Sequence, residues 1–199
     1  MTELAYDMWP DEEAPDDGTL RLPPGDRSLA GGTHEGRDFM FAQLAGVDLS
    51  EADLYWATFH EATLEGALML RCDLRGARFD RANLRGADLR QANCGLDNLG
   101  GTTDFIGADL SGASLSRAAI GGADFTGALL VGANLSGVRC ASAPHASTCF
   151  HGANLTGARL AGADLASASY DSRTVFPRGF QPEPAGMVRR GEKKKKWTK

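Results

Sequence analysis

The sequence predicts an all-β solenoid, a chain wound repeatedly around a narrow axis. Three observations carry this. A large apolar residue recurs at every fifth position from Phe39 through Leu44, Leu49, Leu54, Phe59, Leu64, Met69, Leu74, Phe79, Leu84 and Leu89 to Cys94. Alanine usually stands two residues before it, and glycine recurs at one place in the unit. Phe39, Phe59 and Phe79 are spaced by 20 residues, as are Phe105 and Phe125, and Phe150 and Tyr170. A period of five is neither the ~3.6 of a helix nor the ~2 of a strand. On a helix Leu84 and Leu89 would point about 140° apart, so no single apolar face would form. A recurring glycine opposes a helix and suits a tight corner in every unit.

The elements follow in order. The first block of repeats ends at Cys94, the frame resumes at Phe105 and runs to Cys140, and a last block runs from Phe150 to Tyr170. If six residues near Asp97 to Thr102 and five near Ala143 to Ser147 are extruded as loops, Phe39, Phe59, Phe79, Phe105, Phe125, Phe150 and Tyr170 fall in one column. The other three columns become Leu44 to Leu155, Leu49 to Leu160 and Leu54 to Leu165. His145 would otherwise point into an apolar interior, where an unpaired imidazole is costly. The alternative is a single-residue bulge near Gly101 and no second loop. The two-loop register gives about six coils and ~30 Å of axis at the usual interstrand spacing.

Units such as GADLS, GANLS, GANLT and GADLA resemble the pentapeptide-repeat family, whose pattern is A(D/N)LXX, over residues 39–170. The resemblance implies a right-handed quadrilateral β-helix. It also brings a precedent, because some members bind DNA gyrase by imitating duplex DNA and protect it from quinolone-like poisons. Several of those carry two loops projecting from the coil. In some members the C-terminal end dimerises, which implies a homodimer through that end as one option here.

Charge divides the chain. Residues 1–36 carry a net charge of −7, residues 37–170 of −4 and residues 171–199 of +6. The expected organisation is an acidic disordered segment over 1–36, the repeat over 37–170, a cap over 171–188 and a basic tail over 189–199. The cap is expected to lay Val175, Phe176, Phe180 and Met187 across the last coil, with Pro177 stopping the ladder. There is no apolar run long enough for a membrane span and no signal-like N-terminus, and four cysteines without framework spacing suit a reducing compartment. The expected location is cytoplasmic.

No catalytic constellation stands out, so no enzyme, cofactor or small-molecule substrate is expected. The Asp and Asn before each central residue recur with the period, and their expected role is side-chain bonding along the wall. Cys140, His145, Cys149 and His151 have zinc-ligand chemistry, but their spacing fits no zinc motif and Cys140 should face inward, so no metal is expected. The expected function is a protein-binding scaffold or regulatory adaptor. The alternative is a DNA-mimicking partner of a type II topoisomerase. Candidate partner-binding loop residues are Asp97, Asn98, Leu99, Pro144 and His145. The candidate acidic face is Asp48, Glu51, Asp53, Glu61 and Glu65. Duplex DNA carries one charge per ~1.7 Å, far denser than this repeat. Residues 71–90 even hold six arginines against three aspartates.

Overall fold

The structure, a computed structural model, describes residues 28–140 and 147–190. The chain forms a four-sided parallel coil. Asp38 pairs with Thr58, Gln43 with Thr63, Asp48 with Leu68 and Asp53 with Asp73, each one coil further on. Side 1 carries the column that starts at Phe39, and sides 2, 3 and 4 carry those of Leu44, Leu49 and Leu54. Corner n follows side n.

The backbone explains the five-residue unit, because in a unit with Asp or Asn on the wall every N–H can find a partner. In the unit Ala52-Asp53-Leu54-Tyr55-Trp56, Asp53 N–H donates back to Gly32 of the preceding coil. Leu54 and Trp56 donate forward to Asp73 and Arg75. Ala52 N–H closes the corner on Leu49 C=O. The remaining donor, Tyr55 N–H, goes to Asp53 Oδ1 at 3.1 Å. The same two-residue reach recurs at Asp48, Asn83, Asp88, Asp109, Asp124, Asn134, Asn154 and Asp164. The periodic Asp/Asn is therefore an Asx-turn that satisfies the last N–H of its own corner, a more local task than bonding along the wall.

Inside, the alanines leave room for the large residues. Six phenylalanines, Phe39 to Phe150, stack in one column with centroids 4.8–5.1 Å apart. The column crosses both breaks in register, because Arg78 pairs with Asp104 and Asp124 with Cys149. The six-residue insertion is thus accommodated outside the coil, and the ladder resumes in register after the second break. Tyr170, the seventh expected member, is buried in register, but its ring stands edge-on to Phe176.

Re-entry after each break uses one device. Thr103 and Thr148 occupy the alanine position, and their hydroxyls donate to Leu74 C=O at 2.7 Å and Ile120 C=O at 2.8 Å. Thr174 does the same to Phe150 C=O where the cap begins.

The ends differ from expectation in two respects. Among the described residues the coil is already formed at Ser28, which pairs with Asp48, and Thr33 pairs with Asp53. Residues 28–36 therefore belong to the solenoid rather than to the leading segment, with Leu29 on side 3 and His34 on side 4. Wall positions from Ser28 to Val175, four to a coil, make seven coils. At the other end Val175 does not lie across the last coil. It pairs with Asn154, extends side 2 and points outward at 48% exposure. Phe176, Phe180 and Met187 do pack against the core. Strand β1 (Ser169–Tyr170) pairs in parallel with β2 (Val188–Arg189), which ends side 1. The Tyr170 hydroxyl donates to Glu183, a bond that raises the phenol above its usual range and lowers the carboxyl.

Candidate functional site

Corner 4 carries the irregular features of the coil. Both insertions leave there, between the Leu54 column and the phenylalanine column, two coils apart. The second lies mostly outside the described residues, and so do Pro144 and His145. The first folds back onto the wall.

Asp97 organises it. Its Oδ1 accepts N–H bonds from Leu99 at 2.8 Å and Gly101 at 2.5 Å. Its Oδ2 accepts the indole N–H of Trp56 at 2.9 Å and the Tyr55 hydroxyl at 3.2 Å. Asp97 N–H also closes a turn on Gly101 C=O. Burial against the wall works to raise this carboxyl. The donors from Gly101, Leu99, Trp56 and Tyr55 outweigh it and hold Asp97 below the ordinary carboxylate range.

Trp56 is the other half of the clasp. It takes the corner position that glycine fills elsewhere, with φ of 56°, a region costly to residues with a Cβ. Its indole runs down the corner over Gly76, where a Cβ would sit 2.9 Å from the ring, and reaches Gly101 at 2.7 Å by the same measure. Glycine at 76 and 101 is thus required by the tryptophan. Arg75 lies over the Tyr55 ring at 5.4 Å while bound to Asp73.

The predicted site residues separate on this geometry. Asp97 is 7% exposed, and its carboxylate is consumed within the protein, so it positions the loop and does not present itself to a partner. Asn98 and Leu99 form the tip, with Leu99 84% exposed beside Trp56 at 45%. The five residues of the candidate acidic face do not share a face. Asp48 is on side 3, Glu51 on corner 3, Asp53 on side 4, Glu61 on corner 1 and Glu65 on corner 2. A step of five residues moves the chain one side round, so acids close in sequence are dealt to different sides.

Two of the five are also neutralised, Glu51 by Arg71 and Glu61 by Arg81. The other arginines of residues 71–90 bind carboxylates too, Arg75 on Asp73, Arg78 on Asp80, Arg85 on Asp109 and Arg90 on Asp88. Cys140 is in the core, where burial pushes its thiol up to about 12. Cys149 faces Thr126 on side 1.

Sequence reasoning missed Tyr55 and Trp56. The available signal was a tryptophan at the glycine position of the repeat, followed 20 residues later by Gly76.

A coil built from five-residue sides, with Asx corners and a stacked phenylalanine axis, defines the class as a non-globular repeat solenoid. The family model for pentapeptide repeats matches in eight copies over residues 38–76, 57–93, 103–137 and 148–169, more than half of the chain. The chain belongs to the pentapeptide-repeat family. The matched segments stop where the two insertions fall.

Among solved structures it is similar to HetL, a pentapeptide repeat protein involved in heterocyst differentiation regulation from the cyanobacterium Nostoc sp. strain PCC 7120. The two are 32% identical over 71% of this chain and 73% of that one, with a TM-score of 0.34. It is also similar to QnrB1, a plasmid-mediated fluoroquinolone resistance protein, at 21% identity over 85% of this chain and 87% of that one, with a TM-score of 0.47. No curated protein matches the chain.

Proposed function

We propose that the protein is a non-catalytic scaffold that binds another protein at corner 4. The observation that carries this is the pinned loop, which holds Leu99 almost fully exposed beside a half-exposed Trp56. An aromatic side chain held by its indole bond, and an aliphatic one on a hydrogen-bonded loop backbone, have less freedom to lose on binding, and large aromatics are typical interface anchors. Phe41, Leu68, Leu129 and other apolar side chains are also exposed on the wall, but they stand in the regular repeat, whereas Leu99 projects on a pinned loop, and the arginines of residues 71–90 are paired.

A photo-crosslinking residue at Leu99, with one at Glu65 as control, tests the assignment in the native host. A partner captured only at position 99 should bind the purified protein, and Leu99→Asp should weaken that binding at least tenfold. Equal binding by Leu99→Asp and by a deletion of Asp97–Thr102 would remove the loop from the site.

The second reading, a type II topoisomerase as that partner, is favoured by two insertions leaving one corner two coils apart. The paired arginines weigh against imitation of a uniformly charged duplex. Supercoiling by DNA gyrase with and without ciprofloxacin decides it. Protection by the purified chain supports this reading, and unchanged inhibition at saturating protein removes it.

A further inference from the structure

Among the described residues, a histidine heads one of the four interior columns at the N-terminal end of the coil. His34 is the first residue of the side 4 column, where every later coil has Leu54, Leu74, Cys94, Ile120, Cys140 or Leu165. Its ring is half-buried, edge-on to Phe39 at 6.1 Å, the first ring of the aromatic stack. Gly32 lies against it so closely that a Cβ there would stand 2.6 Å from Nε2.

Both ring nitrogens are engaged. Nε2 is 3.2 Å from Leu29 C=O, and Nδ1 is 3.4 Å from Arg37 Nη1. A carbonyl only accepts and a guanidinium only donates. The arrangement therefore needs the neutral tautomer with its proton on Nε2 and a lone pair on Nδ1. The Arg37 guanidinium is held in turn over the Phe39 ring at 5.1 Å. A proton added at Nδ1 would meet the Arg37 N–H groups head-on, in a half-buried position.

We propose that the His34–Arg37 pair is an acid-labile cap, which keeps the first coil wound at neutral pH and releases residues 28–38 when the imidazole takes up a proton. The charged groups facing the ring are Arg37 from its own coil and Asp53 from the next. Burial is the larger influence and lowers the imidazole from its ordinary value. Leu29 C=O and Asp53 pull the other way, and Arg37 adds to the lowering.

The sign follows from linkage. Above the ordinary imidazole range the ring is neutral whether the segment is wound or open, and the cap is unaffected. As pH falls through that range the opened segment binds the proton more readily, so opening is favoured. Release would bare Phe39 and the backbone edge of the next coil, an unpaired ladder that solenoids ordinarily keep covered.

Nuclear magnetic resonance on the full chain tests this between pH 7.5 and 5. Two observables matter, the His34 ring titration and the exchange protection of the His34, Gly36 and Phe39 amides. Those amides donate to Asp53, Tyr55 and Thr58 at 2.7 Å. Corrected for intrinsic exchange, their protection should fall severalfold as the pH drops from 7.5 to 5, while the Phe105 and Leu110 amides hold. His34→Gln can still donate to Leu29 and accept from Arg37 but cannot titrate, so it should abolish the pH dependence. Arg37→Gln should move the His34 midpoint upward. Undiminished protection at pH 5, or the same acid loss in His34→Gln, would overturn the proposal.

Discussion

The N-terminal block of the coil, residues 28–94, and the blocks after the first insertion share one backbone and differ at the corners. The corner position needs a positive φ in every repeat, and glycine adopts it freely. After the insertion it is glycine at 107, 112, 122, 127, 132, 137, 152, 157 and 162, with Arg117 and Ser167 as the exceptions. In the N-terminal block glycine at 31, 36, 46, 66, 76 and 86 shares it with Phe41, Glu51, Trp56, Glu61, Arg71, Arg81 and Gln91. Each such residue costs on the order of 1–2 kcal/mol relative to glycine. Strain persists where surroundings hold it, commonly at functional sites. Here the side chains are used, Trp56 on Asp97, Arg71 on Glu51 and Arg81 on Glu61. Corner 2, with Gly46, Gly66, Gly86, Gly112, Gly132 and Gly157, carries no such side chain in either region. Non-glycine corner side chains and their bonds are thus concentrated in the N-terminal block and the loop that docks on it, and the corners of the later coils are plainer.

The largest expected effect concerns what the two regions share. Phe79 and Phe105 stack across the first break at 5.0 Å. Phe79→Asp buries an unpaired carboxylate in the axis and splits the column, a loss of about 4 kcal/mol or more. Thermal melting should show no cooperative β transition near the wild-type temperature. Arg85→Asp, on the outer wall beside Asp109, should shift the melt by a few degrees at most. Equal melts for the two variants would mean that the axis is not continuous through the break.

Next comes the clasp that distinguishes the N-terminal block. Trp56→Gly relieves the corner but uncovers Gly76 and leaves the Asp97 carboxylate without its indole donor. A net loss of about 1–2 kcal/mol is expected from the unmade bond and lost packing, read from urea unfolding. Asp97→Asn should spare the coil and loosen the loop, seen as faster exchange at Leu99 and Gly101. The sign of the pH dependence is fixed by the lowered carboxyl. The ionised latch contributes above the ordinary carboxylate range and is lost only as pH falls through the depressed value. Loop protection in the wild type should therefore persist through pH 5, and a loop that opens there would show that the four donors do not hold it.

The periodic part of this contrast is legible in the sequence, because a 20-residue recurrence of aromatics constrains the register even across insertions. Phe105 and Phe150 locate both breaks without knowledge of the loops. Three things were not legible. The first coil is hidden because Leu29 is followed by His34 where an apolar residue is expected. The clasp is hidden because Asp97 meets Trp56 forty-one residues away, and nothing in a period of five encodes a loop folding backward by two coils. The dispersal of Asp48, Glu51, Asp53, Glu61 and Glu65 is implicit in the period itself, yet composition by segment blurs it.

The smallest expected effect tests whether corner strain is tolerated for use or merely inherited. Ser167 stands at φ of 65° in the last coil. Its backbone N–H donates to Gly186 C=O, and the described bonding leaves its hydroxyl no task comparable to the indole of Trp56. Ser167→Gly keeps the backbone bond and removes the Cβ penalty. The variant pays back part of this through a more flexible unfolded chain. A net gain of about 0.5–1 kcal/mol should remain, read as a higher urea midpoint at unchanged slope. The mirror experiment is Gly127→Ala, at φ of 68°, which should lose about 1 kcal/mol although it removes no contact. Trp56→Gly and Ser167→Gly make the same chemical relief at equivalent corners, so opposite signs are the decisive result. If both variants gained stability, the clasp would contribute less than its strain, and the N-terminal block would lose its claim to a built surface.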